Sequence, residues 1–196
     1  GSEIGSKTGL ALVEVRGLMV SPGVCFMGTN AHQRWPLFLC GVWMFHCPTL
    51  ARGAPVLMRV QPGSTASFSR GVVIAGWATL FLHGDFNAAD LTQFGDQYTD
   101  AWFSDPRFQI GLVVYVIGFS LTVHSDSILS NLRAPNPSQD APRYQIPYGG
   151  GIEWVSCPPY FGDTRSFSGV AIMVWTPRAV LCCALTAGPL TPRALV

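Results

Sequence analysis

Charge is what this sequence has least of. Only 12% of its 196 residues are Asp, Glu, Lys or Arg, about half the usual share. Together with 48% hydrophobic residues and a mean hydropathy of +0.31, that deficit favours a chain built for lipid over a soluble one. Neither sign is in excess: the net charge is +1, so there is no basic footprint for nucleic acid and no nucleic-acid partner is expected. The six cysteines form no Cys-x-x-Cys pair and no zinc spacing. His46 has no second His, Cys or carboxylate beside it at helical metal spacing, so no metal site is expected. No Ser/His/Asp or Cys/His constellation stands out either, which argues against chemistry through a side-chain nucleophile. A cleavable signal peptide is also missing, and the chain opens Gly-Ser rather than Met, as a fragment or a processed form would.

What the sequence does have is apolar runs. The clearest lies in the stretch from Asp105 to Gly151. From Phe108 to Ser125 no fully charged side chain occurs, and that length can cross a bilayer core. The run ends in His124-Ser125-Asp126, followed by Arg133 and a Pro- and Gly-rich loop. Two readings fit: a membrane helix leading into a site at the membrane surface, or a buried core helix with a solvated loop after it. Trp35 to Ala51 reads as another span, with Trp35 and Trp43 placed as interface anchors. Thr8 to Thr29 is apolar but interrupted by Glu14 and Arg16, and Gly71 to His83 is a shorter run. A carboxylate inside an apolar run is costly, so Glu14 is either functional or an interfacial, wetted charge. Ile152 to Leu190 is broken by Pro158-Pro159, Asp163, Arg165 and Pro177-Arg178 and reads as two helices.

The loop charges give a topology. Arginines gather in the loops after the second and fourth runs, and the loop between the third and fourth is acidic. Two crossings separate the basic loops, so both can face the cytoplasm. The expected fold is an all-α, multi-pass transmembrane bundle of about five or six apolar helices with no sheet, because backbone groups in lipid must be satisfied internally. Residues 1–196 are expected to form a single integral-membrane domain.

An ordered set of residues goes further than pattern. Trp102, Asp105-Pro106-Arg107-Phe108, Ile110-Gly111, Gly118, His124-Ser125-Asp126, Ile128-Leu129, Asn131-Leu132-Arg133, Pro135, Tyr144, Ile146-Pro147, Gly149-Gly150 and Phe161-Gly162 occur in one order. With that set the chain resembles the membrane steroid 5α-reductases. The resemblance is strongest over residues 102–162, weak at both ends, and lacks the first family helix and the C-terminal tail. It implies a reductase that uses NADPH to reduce the 4,5 double bond of a 3-oxo-Δ4-steroid or a similar lipid enone. Hydride reaches the β-carbon of the enone and negative charge builds on the carbonyl oxygen, so a hydrogen-bond donor is needed there.

The resemblance also implies roles. Glu14, in Ala-Leu-Val-Glu, falls on the family carboxyl that holds the ketone. Thr122, Asp126, Arg133, Tyr144, Asp163 and Arg193 fall on or beside cofactor-binding positions, with Arg133 suited to pairing a phosphate bidentately. A monomer is expected, in the endoplasmic reticulum membrane of a eukaryote or the inner membrane of a bacterium, with the cofactor loops on the cytoplasmic side.

Departures from the family pattern keep a second reading open. Cys47 stands where the family has a tyrosine that also holds the ketone, and a thiol is a weak donor. Leu50 replaces a family arginine, Thr122 and Pro159 replace asparagines, and Asp163 shortens a glutamate. These changes fit an inactive or damaged copy that keeps the fold. An enoyl-thioester or polyprenol reductase is the third reading, since substrate choice lies in the shape of an apolar pocket. Asp126 with Arg133 also reads as a solvated helix-end pair, and Tyr144 as a loop anchor.

Overall fold

The computed structural model describes residues 3–5, 27, 33–39, 41–42, 46, 67–69, 89, 98–131 and 146–195. The chain divides into two compact units, Gly1–Ser104 and Asp105–Val196.

In the first unit a helical segment at 34–39 and a short 3₁₀ turn at Asp100–Ser104 share an aromatic cluster. Trp35 is fully buried at its centre. It stacks on Tyr98 at 5.4 Å between centroids and meets Phe103 edge-on at 5.3 Å. Tyr98 in turn meets Trp102 edge-on at 5.2 Å. Such offset and edge-to-face geometries add to what burial alone supplies. The pair Arg34–Asp100, 3.9 Å apart and mostly exposed, adds little by comparison. One departure from a strand-free chain appears here: β1 (Glu3–Gly5) and β2 (Ser67–Ser69) pair antiparallel, Glu3 opposite Ser69. It is three residues a side and leaves the architecture helical.

Among the described residues of the second unit are three α-helices, α1 (Pro106–Asn131), α2 (Pro158–Val174) and α3 (Pro177–Leu195). Each start is written locally. Asp105 caps α1, its carboxylate accepting from the Arg107 backbone N–H at 2.8 Å, and Pro106 follows at the first helical position, where a missing N–H costs nothing. Pro158 and Pro159 open α2 in the same way. At its far end Trp175 adopts a left-handed conformation (φ 51°), and its N–H closes back on the Ala171 carbonyl. Thr176 then caps α3, accepting from the Ala179 N–H at 3.2 Å ahead of Pro177. The chain reverses in two residues. The Cys157 N–H reaches the Ala194 carbonyl at 3.4 Å, so the last turn of α3 returns to the first of α2. The two helices read from the broken 152–190 run are therefore α2 and α3, packed as an antiparallel hairpin.

Helix α1 packs antiparallel on α2 through small residues. Its buried stripe runs Phe108, Gly111, Tyr115, Gly118, Thr122, Ser125, spaced alternately three and four residues apart, the seam of closely paired helices. The facing stripe on α2 is Gly162, Ser166, Gly169, Met173. A Cβ added at Gly118 would lie 2.6 Å from the Gly162 carbonyl oxygen and 2.6 Å from the Ser166 nitrogen. One at Gly111 would lie 2.6 Å from the Met173 nitrogen and 2.7 Å from the Gly169 oxygen. The backbones touch, the arrangement small residues allow where lipid offers no hydrophobic drive to pack helices. Three of the helix hydroxyls are satisfied within their own helix: Ser125 donates to the Leu121 carbonyl at 2.7 Å, Ser166 to Gly162 at 3.0 Å and Thr186 to Cys182 at 3.0 Å.

The opposite face of α1 carries Ile110, Val113, Val116 and Ile117, all exposed. A long helix with small residues turned to its neighbour and branched apolar ones turned outward is the reverse of a soluble core helix. Residues Pro106–Leu129 are long and apolar enough to cross a membrane, the one such helix among the described residues.

Candidate functional site

The polar residues of α1 lie in its last two turns. Thr122 is on the buried stripe; Asp126, one turn on, is half-buried. Opposite stands the second turn of α2 with Asp163. Gly162 presents no side chain to Thr122, and that lets the hydroxyl reach across. The Thr122 Oγ1 donates to Asp163 Oδ1 at 3.0 Å, with the carbonyls of Pro159 and Gly118 as longer alternatives at 3.3 Å each. A hydroxyl has one proton to give, so the shortest of the three is the principal bond. Asp126 is close enough to Asp163 for their charges to interact. Two carboxyl groups thus share a site that is largely out of water, where charge is costly unless donors or cations answer it.

Arg193 sits in the last turn of α3, at the same end of the bundle, because α3 returns to the start of α2 at Cys157 and Ala194. Its side chain is exposed. The loop before α2 closes the other flank. Gly149 and Gly150 have φ of 95° and 61°, a left-handed conformation that glycine takes without strain. A Cβ on Gly150 would stand 2.8 Å from the His124 Nε2, and one on Gly151 2.6 Å from the Leu121 Cδ1. Gly150 and Gly151 thus pack on the last turns of α1, while Gly149 stands clear of it.

Four of the residues singled out from sequence, Thr122, Asp126, Asp163 and Arg193, are therefore brought to one end of one unit, although they span three helices. Glu14, Arg133 and Tyr144 lie outside the described residues, as do most of the apolar runs before residue 98. Helix α1 continues past His124-Ser125-Asp126 and is described to Asn131. Sequence reading missed the Pro159 carbonyl, which faces Thr122, and the contact of Gly150 with His124. It also missed the pairing of Gly111 and Gly118 with Gly162 and Gly169. The seven-residue spacing within each glycine pair was the available signal.

The pattern of 3-oxo-5-alpha-steroid 4-dehydrogenase matches residues 71–196, more than half of the chain and all of the three-helix unit. The chain belongs to this family. The 3-oxo-5-alpha-steroid 4-dehydrogenase 1 of Bos taurus is 31% identical over 146 residues, which are 74% of this chain and 53% of the bovine protein. The protein of the same name from Homo sapiens is 40% identical over 79 residues, 40% of this chain and 29% of its own length. The steroid 5-alpha-reductase DET2 of Arabidopsis thaliana is 35% identical over 125 residues, 63% of this chain and 46% of the plant protein. The matches thus span about half or less of these relatives' own length, and the segment that matches the family pattern, residues 71–196, contains Thr122, Asp126, Asp163 and Arg193.

Proposed function

We propose that this chain is a membrane oxidoreductase that transfers a hydride from NADPH to the C=C of a 3-oxo-Δ4-steroid or a similar lipid enone. The observation that carries the reading is the convergence of Thr122 and Asp163, 41 residues apart in sequence and joined at 3.0 Å, at the end of a helix able to cross a membrane. The donor set fits a dinucleotide. Carboxyl and hydroxyl oxygens accept from the hydroxyl and amide donors of a nucleotide, and an arginine answers its phosphates. Thr122, Asp126, Arg133, Tyr144, Asp163 and Arg193 are proposed as its binding residues. When bound, NADPH supplies the hydride. The protein contributes orientation through the close-packed α1–α2 seam and a donor to the ketone oxygen, the role proposed for Glu14 with its carboxyl protonated, the only form that can donate. The cofactor loops are proposed to face the cytoplasm and the bundle to cross the membrane several times, as a monomer, in the endoplasmic reticulum or a bacterial inner membrane.

A titration of the purified chain with NADPH, read by nicotinamide fluorescence and followed by turnover of an enone panel, tests the reading. Arg133→Ala should weaken binding by about 1.5–3 kcal/mol, the range for hydrogen bonds to charged groups, and equal affinity removes Arg133 from the site. Turnover of an acyl thioester or a polyprenol and not of a steroid reassigns the substrate. The departures at Cys47, Leu50, Thr122 and Pro159 favour a second reading, an inactive protein that keeps the fold; absence of NADPH binding in wild type would decide for it.

A further inference from the structure

The loop before α2 holds its largest apolar side chains out of the protein. Trp154 is 87% exposed, Tyr148 76% and Ile146 70%. This is not a loosely held segment. Gly150 lies against His124 and Ile128, Gly151 against Leu121 and Pro158, and the N–H groups of Trp154 and Val155 both close on the Gly151 carbonyl at 3.1 Å. An anchored glycine spine with aromatic and branched side chains projecting from it exposes in water a surface that has no reason to be there. At the far end of α2 stands another exposed tryptophan, Trp175, 56% exposed, with the Arg107 guanidinium over its ring at 5.2 Å.

The separation of these two ends identifies what covers them. Helix α2 has 17 residues, about 26 Å at 1.5 Å per residue, close to the roughly 30 Å of a bilayer's hydrocarbon core. Trp154 and Trp175 lie just beyond its two ends. The outward apolar band of α1, from Ile110 to Ile117, lies between the same two levels, because α1 and α2 pack antiparallel along their length. Tryptophan and tyrosine concentrate where hydrocarbon meets headgroup, since their rings are apolar and their polar tips want water. Glu153, exposed between Ile152 and Trp154, keeps the loop at headgroup depth rather than deeper.

We propose that residues 146–154 are a membrane-interface anchor, with Ile146, Tyr148 and Trp154 seated in the headgroup region of the bilayer on the side of the Thr122–Asp163 site. The inference rests on the membrane reading given above. Its consequence is a fixed depth: the loop that closes on His124 also meets lipid, so the polar end of the bundle is held at the bilayer surface, open to a soluble ligand from one side and a lipid-dissolved one from the other.

The test uses the full chain in phosphatidylcholine nanodiscs. The difference in tryptophan emission between wild type and Trp154→Phe isolates Trp154. That component should be blue-shifted and quenched at least twofold more by a nitroxide on the lipid headgroup than by aqueous iodide or by a nitroxide at the end of the acyl chain. Ile146→Trp placed in the Trp154→Phe background should restore a component with the same quenching order. Dominant iodide quenching shows a loop in water; quenching by neither lipid probe nor iodide shows a loop covered by protein; dominant chain-end quenching shows deep burial. Each of these overturns the anchor. Alkaline carbonate extraction of membranes separates the two levels. Wild type released from the pellet overturns the membrane reading and the anchor together. Wild type retained, with iodide quenching of Trp154, overturns the anchor alone.

Discussion

The contact between α1 and α2 makes a sharp prediction at Gly118. A methyl group there meets backbone, not flexible side-chain ends: 2.6 Å to the Gly162 oxygen and 2.6 Å to the Ser166 nitrogen, with the Arg165 Cβ at 2.8 Å. Ordinary contact begins at 3.4 Å, so Gly118→Ala must drive the helices apart by nearly an ångström over two turns. Overpacking of this kind costs about 1–3 kcal/mol. Against it runs the better helix propensity of alanine, worth roughly 1 kcal/mol. Gly41→Ala is the control, because Gly41 is helical and has nothing within 4 Å of its would-be Cβ; it gains the propensity and meets no clash. The gap between the two variants isolates the packing, and should appear as a midpoint about 3–10 °C lower for Gly118→Ala in thermal unfolding in detergent. Gly118→Ala melting together with Gly41→Ala would falsify the close-packed seam and, with it, the argument that places Thr122 within reach of Asp163.

Other perturbations follow from the same geometry. Thr122→Val takes the donor from Asp163 at a partly buried site and should cost about 1–3 kcal/mol of stability, whereas Thr122→Ser should restore most of it; equal melting of Val and Ser variants would remove the hydrogen bond from the account. Thr176→Ala leaves the Ala179 N–H without its cap and should lower stability by about 0.5–2 kcal/mol, measured by the same thermal assay, with Thr176→Ser close to wild type. Arg107→Gln and Trp175→Phe should each cost about 0.5–1 kcal/mol through the cation–π contact. The double variant should cost less than the sum, and strict additivity would show that the two side chains do not interact.

The sequence by itself determined the helices, because their signals are local. Asp105-Pro106 starts α1, Pro158-Pro159 starts α2 and Thr176-Pro177 starts α3, each through a cap or a fixed φ that needs only neighbouring residues. The scarcity of charge from Phe108 to Ser125 marked a helix able to cross a membrane, and the ordered motif from His124 to Gly150 marked the family. Tertiary structure decided what those helices do to one another. Whether Thr122 faces lipid or protein depends on where Gly162 lies, since only a residue without a side chain lets the α1 backbone come close enough for a hydroxyl to reach Asp163. That choice is made between residues 41 positions apart; the seven-residue glycine spacing marks a close-packing face in each segment but does not say which face it meets. The direction of Trp154 is of the same kind. No neighbouring residue says which way its ring points; the glycines packed on Leu121, His124 and Ile128 set the loop, and the ring ends up exposed.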